Sequence, residues 1–357
     1  MQCHPSPRRY SDDLGRYTDL RKFLDTSVSY LRPVVSPSQR FGKDDHATIK
    51  VSEFAYGRLQ SPDLDRAEAF LTEFGMRRAA RTKTALYMRG SDAAHHIHVT
   101  ELGEPRFLSL AFAVADPDDL RRVATLAGAS GIESIDEPGG GRRVRLKDPD
   151  GHGVEVVYGI ETVPALPVAR QPLNLGSNRL RNGEFQRPPR GASQVKHIGH
   201  GVLMTTDLPR MVAWYRDTLG LLVSDEVYAG SPGNLVGSFN RLDRGDTYVD
   251  HHVFFCVQGK KNGLNHLSFE VQDIDDVMIG HDHLKAKGYA HVWGIGRHQL
   301  GSHIFDYWQD PWGRVHEHWT DTDTLNAHST PGLFGTDDLN GPWGDPIPPS
   351  FLEHASV

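Results

Sequence analysis

At 357 residues the chain is too long for one ordinary small domain and comfortable for two. With 38% hydrophobic and 24% charged residues it can build an apolar core, which excludes global disorder. A formal net charge of −7 argues against a nucleic-acid partner or a polybasic membrane patch, and no apolar run approaches the roughly 20 residues a membrane-spanning helix needs. The only cysteines, Cys3 and Cys256, make no disulfide framework, and the opening MQCHPSPRRYSDDLG lacks the apolar core of a secretory signal. A cytoplasmic protein is expected.

In chain order, residues 1–45 form an extension with one short helix expected around Leu20–Leu31. A first domain is expected over 46–160. In it EFAYGRLQSPDLDRAEAFLTEFGMRR predicts a strand, a turn with Asp and an amphipathic helix, and FLSLAFAVADPDDLRRVATLAGASGI predicts the same again before KDPDGHGVEVVYG. Residues 161–195, rich in Pro, Arg and Asn, form a linker. A second domain over 196–322 repeats the pattern in HIGHGVLMTTDLPRMVAWYRDTLGLLV, LNHLSFEVQDIDDVMIGHDHLKAKGY and QDPWGRVHEHWTD. Leu208, Met211, Val212, Tyr215 and Leu219 fall at helical spacing before Gly220, and Ile274, Val277, Met278 and Leu284 do so before Gly288. Residues 323–357 form a tail whose prolines exclude interior helix or strand, expected to lie over a surface anchored by Trp343 and Phe351, with closure of the pocket by these two residues as the alternative. The expected fold is therefore α+β: two domains, each of two paired βαβββ modules.

Comparing the copies singles out three residues. His200 lies seven residues before Asp207, where the first domain has Tyr56 before Asp63. His266 lies five before Val271, where the first domain has Ser109 before Val114. Glu317 and Glu155 each follow a proline by six residues. Only the second domain keeps two histidines and a glutamate at the three matched positions. That donor set is the facial triad of non-haem iron(II) sites, with positions left open for substrate and O₂; manganese(II) is compatible with it. In a strand, His266, Ser268 and Glu270 share one face, and Glu317 points opposite to His316 and His318.

With these residues in place the chain resembles the type I extradiol ring-cleaving dioxygenases of the vicinal oxygen chelate superfamily. The resemblance spans about 46–322, and its most specific stretch is GRHQLGSHIFDYWQDPWGRVHE, Gly296 to Glu317. It implies iron ligands at His200, His266 and Glu317, an acid/base histidine at His252, and a substrate-contacting pair at His298 and Tyr307. It also implies O₂-dependent cleavage of a catechol-type aromatic diol to a muconic semialdehyde-type product. The chain departs from the family pattern at Asp306, where an apolar residue is usual, at Val202, where some relatives have Asn, and at Trp293, where some have Arg.

Other candidates have plainer readings. His251 is expected to face solvent or pack, His197 to face away from His200, and Glu155 to be a repeat relic with a structural hydrogen bond. His316 and His318 are expected to be structural, and for His303 a place at the cavity rim is the lesser of two readings. Phe239, Phe254 and Phe305 are expected in core or pocket wall. The competing functions are another metal enzyme of the superfamily, such as a glyoxalase-like isomerase, and a non-catalytic small-molecule-binding module. The expected partners are a small aromatic diol and O₂, with no nucleic acid and no membrane, in a homo-oligomer.

Overall fold

The structure is a computed structural model that describes residues 47–168 and 172–356. The helix expected around Leu20–Leu31 lies outside them.

Four βαβββ modules follow one another. The first is β1 (Glu53–Ser61), α1 (Leu64–Phe74), β2 (Arg77–Arg81), β3 (Ala85–Arg89) and β4 (His98–Leu102). The second is β5 (Arg106–Ala113), α2 (Pro117–Val123), β6 (Glu133–Ser134), β7 (Arg142–Lys147) and β8 (Gly153–Tyr158). The third is β9 (Ile198–Thr205), α3 (Leu208–Leu219), β10 (Leu222–Tyr228) and β11 (Leu235–Arg241), then the short β12 (Val249–Asp250), and β13 (Phe254–Gln258). The fourth is β14 (Gly263–Glu270), α4 (Ile274–Ala286), β15 (Ala290–Arg297), β16 (Ile304–Gln309) and β17 (Val315–Thr320). Beyond them lie β18 (Thr324–Leu325), β19 (Gly332–Gly335) and a helical turn at Pro349–Leu352.

The recurring Asp has a local cause. Asp63, Asp116, Asp207 and Asp273 each cap one helix, accepting from backbone N–H groups of its first turn. Such a cap contributes about 1 kcal/mol and fixes where the strand turns into the helix. Gly75 and Gly220 close α1 and α3 at φ 115° and 73°, a left-handed conformation that glycine adopts without Cβ strain.

Modules pair through their first strands. The first sheet runs β2-β3-β4-β1-β5-β8-β7-β6, with β1 antiparallel to β5, and the second runs β15-β16-β17-β14-β9-β13-β11-β10-β19, with β14 antiparallel to β9. The segment assigned to the tail thus supplies β19, parallel to β10 at a sheet edge. The sheets meet through apolar side chains of both, including Phe54, Leu110, Phe112, Leu203, Leu267 and Phe269. The approach is close: a Cβ on Gly57 would lie 2.4 Å from a Leu267 methyl. His316 and His318 serve this junction. His316 Nε2 lies 3.2 Å from His98 Nε2, and His318 Nε2–H donates to the Phe74 carbonyl at 2.6 Å.

Candidate metal centre

In the second sheet, strand register aligns the predicted residues on one face. His200 on β9 pairs with Ser268 on β14, Ser268 with Glu317 on β17, Glu317 with Tyr307 on β16, and Tyr307 with Trp293 on β15. His266 lies two residues before Ser268, so alternation returns it to the same face. His200, His266 and Glu317 are buried, and one ligand atom from each lies within 4.8 Å of the others.

The protonation pattern suits a cation. His266 Nδ1 lies 2.7 Å from Asn265 Oδ1, an acceptor, so Nδ1 carries the proton and Nε2 a lone pair. That lone pair faces Glu317 Oε2 at 3.4 Å. His200 Nε2 comes within 3.0 Å of the same oxygen. These approaches are close but do not align as hydrogen bonds, and both Glu317 oxygens, His266 Nε2, His200 Nδ1 and Ser268 Oγ are left without partners. Burial pushes the Glu317 carboxyl up, yet the adjacent His200 and His266 imidazoles hold it well below the usual carboxylate range. A buried anion facing two imidazole nitrogens is costly alone and is the donor set of a divalent transition metal.

The other predicted residues surround this face. His252 packs on His200 with ring centroids 4.2 Å apart. His251, expected to face solvent or pack, is buried and positions His252. Its Nε2 lies 2.8 Å from Asp225 Oδ2, and its Nδ1 lies 3.1 Å from His252 Nδ1. A proton on each of His251 Nε2 and His252 Nδ1 satisfies both contacts and leaves His252 Nε2 as an acceptor. Burial first, then His200 and His303, push His252 well below the ordinary histidine value, so it is neutral at neutral pH. It is therefore open to accept a proton, with a lower proton affinity than an unperturbed imidazole. Tyr307 and His298 share a hydrogen bond of 2.9 Å. Burial and Glu317 raise the Tyr307 phenol well above its ordinary value, and burial lowers His298 to about 4, so the phenol is the donor.

Two residues were underrated from sequence. His303 reaches the cavity, the lesser of its two readings: it stacks on His200 at 5.4 Å, contacts His252 at 5.0 Å and lines the pocket. Phe351 does not anchor the tail to an outer surface. It enters the pocket, with its ring 4.8 Å from Tyr307 and 5.7 Å from His266. The tail is held by backbone contacts. Leu264 and Ser356 exchange two hydrogen bonds of 2.8 Å, Asn265 Nδ2 donates to the Phe351 and His354 carbonyls, and Trp293 Nε1 donates to the Asp345 carbonyl. Trp343 pairs its backbone with Arg297 and stays 43% exposed, so it anchors little by side-chain burial. Phe239 lines the pocket, Phe254 stacks on Tyr215 in the core, and Phe305 stacks on His298. His197 turns away to Asp92, as alternation required.

Known proteins agree with this architecture. The family model described as Glyoxalase/Bleomycin resistance protein/Dioxygenase superfamily matches residues 46–156 and 197–317. Metapyrocatechase 2 of Cupriavidus necator is 30% identical over 317 residues, covering 87% of this chain and 94% of its own. An extradiol ring-cleaving dioxygenase from B. fuscum has the same fold at a TM-score of 0.74 and 20% identity, over 88% of this chain and 85% of its own. The Mn(II)-bound glyoxalase from Novosphingobium aromaticivorans does so at 0.72 and 24%, over 86% and 96%. The chain belongs to the Glyoxalase/Bleomycin resistance protein/Dioxygenase superfamily, and its kinship there is with the extradiol ring-cleaving dioxygenases.

Proposed function

We propose that the protein cleaves an uncharged, alkyl- or aryl-substituted catechol beside its diol, inserting both atoms of O₂. His200, His266 and Glu317 would hold iron(II), or manganese(II) in its place. The observation that carries this is the buried Glu317 carboxylate facing His266 Nε2 at 3.4 Å, with neither the carboxylate nor that nitrogen holding a hydrogen-bond partner. When bound, the ion would lower the pKa of the diol hydroxyls and bring the ring beside O₂.

The chain's own groups do the rest. His252, neutral and with Nδ1 committed to His251, offers Nε2 to take a hydroxyl proton and later return it. Tyr307, supported by His298, lies where its hydroxyl can turn to a diol oxygen. Phe239, Trp293, Leu300, Ile347 and Phe351 enclose the ring and exclude water, which strengthens the polar contacts at the diol. Among the described residues no Lys or Arg lines this pocket, which favours a neutral ring substituent over a carboxylated one.

We place the enzyme in a reducing cytoplasm, supported by the buried free thiol of Cys256. No helix among the described residues is long and apolar enough to cross a membrane. We expect a symmetric homo-oligomer, on the general prevalence of such assemblies.

The test is anaerobic purification, iron(II) loading, and exposure in air to 2,3-dihydroxybiphenyl, 3-methylcatechol and a carboxylated catechol. A yellow product from the first two, formed with equimolar O₂ uptake, is expected. Preference for the carboxylated ring would refute the substrate class, and absence of O₂ uptake with every diol would refute the reaction.

A further inference from the structure

Asp306 stands where the resemblance expects an apolar residue, and the catalytic pocket makes no use of it. Alternation along β16 sends Tyr307 into that pocket and Asp306 to the opposite face, beneath α4. The Asp306 carboxylate is fully buried, and among the described residues its ion-pair partners are two histidines alone. His291 Nε2, from β15, lies 2.8 Å from Oδ1, and His281 Nδ1, from α4, lies 3.2 Å from both oxygens. Trp308 Nε1–H donates to Oδ2 at 2.6 Å, and its ring lies under both imidazoles at 4.7 and 5.3 Å. The His291 side chain is 31% exposed, so the cluster opens to solvent on that side.

We propose that His281, His291 and Asp306 form a second divalent-metal site, suited to a zinc-class ion with water completing its coordination. One ligand atom from each lies within 4.8 Å of the others. The donors are the two imidazoles and one carboxylate that borderline divalent ions prefer. The Trp308 contact fixes the carboxylate in the way that outer partners fix metal ligands. Gly294, opposite Asp306 across the β15–β16 pair, leaves the carboxylate room: a Cβ there would lie 2.9 Å from Oδ1. An ion here would tie α4, β15 and β16 together behind the strand that carries Tyr307. The site is separate from the catalytic triad, and this inference does not depend on the proposed reaction.

The full chain, loaded with iron(II) under argon, is equilibrated with zinc, desalted, and assayed for both metals. About one retained zinc per chain beside the iron is expected, with a raised melting temperature. His291→Ala and the milder His291→Gln should lower zinc affinity at least about tenfold while keeping iron and turnover. Glu317→Ala should lose iron and keep zinc. Zinc retention equal in wild type and both His291 variants overturns the proposal, as does a wild-type chain that retains no zinc. In either case the cluster is a metal-free hydrogen-bonded clamp.

Discussion

The two sheets are copies of one plan, and they solve the same electrostatic problem in opposite ways. Each buries a glutamate at the same position of the strand that closes its second module, Glu155 on β8 and Glu317 on β17. In the first sheet the counterparts of His200 and His266 are Tyr56 and Ser109, and both hydroxyls donate to Glu155, at 3.0 and 2.6 Å. The positive charge is built into the chain. Arg58, two residues after Tyr56, donates to Glu155 at 2.9 Å and to Glu101 and Glu137 at 2.8 Å, and Arg143 adds a contact at 3.3 Å. In the second sheet the residue two after His200 is Val202, an apolar wall of the pocket. The same carboxylate is therefore structural where a guanidinium accompanies it and available where nothing does. Removing the donors' hydrogens and the resident cation is what turns a core ion cluster into a candidate metal site.

The sharpest break of this comparison is Glu317→Ala, which should abolish iron binding and turnover with the fold intact, read by metal analysis and circular dichroism. His252→Phe should keep iron and lower kcat by about 10²–10⁴-fold, the span of a lost general base. A variant with normal kcat would remove His252 from the mechanism. Arg58→Met should leave iron and kcat unchanged but cost about 3 kcal/mol in urea unfolding, because Glu155 loses its main cation and Arg143 compensates only in part. A neutral result would mean that the first sheet does not depend on its ion cluster. Phe351→Ala should raise KM for small catechols roughly tenfold with kcat little changed, the scale of one lost apolar contact.

The smallest effect is an acid one. Burial works against the charged form of Glu137, but Arg58 and Arg143 lower its carboxyl to about 2. A depressed carboxylate stabilises the fold above its unfolded value of about 4.3 and loses that contribution as pH falls toward about 2. Unfolding midpoints measured from pH 5 to 3 should fall more steeply in wild type than in Glu137→Gln.

The module plan was legible in sequence because it is periodic. Four Asp caps and four apolar helix stripes recur at matched distances, and matching the copies singles out His200, His266 and Glu317 as candidate ligands without any contact information. Other parts of the site leave no periodic trace. His303 and His251 meet the site from loops, and Asp225 meets His251 from β10. Phe351 reaches the pocket through backbone pairing of Ser356 with Leu264, which tail composition does not encode. Asp306 was noticed as a departure, but its partners lie 25 and 15 residues away on two other elements. Arg58 was visible beside Tyr56, yet its role emerges only once Glu101, Glu137 and Glu155 are brought around it.

The donor sets put the candidate iron site in the second sheet and leave none in the first. The most direct test of that difference is the electron paramagnetic resonance of the nitric oxide adduct of the iron(II)-loaded chain, compared among wild type, Glu317→Ala and Glu155→Gln. An iron with open positions gives a strong high-spin signal, and about one such centre per chain is expected in wild type and Glu155→Gln and none in Glu317→Ala. A signal that survives Glu317→Ala, or one lost with a folded Glu155→Gln, would contradict it.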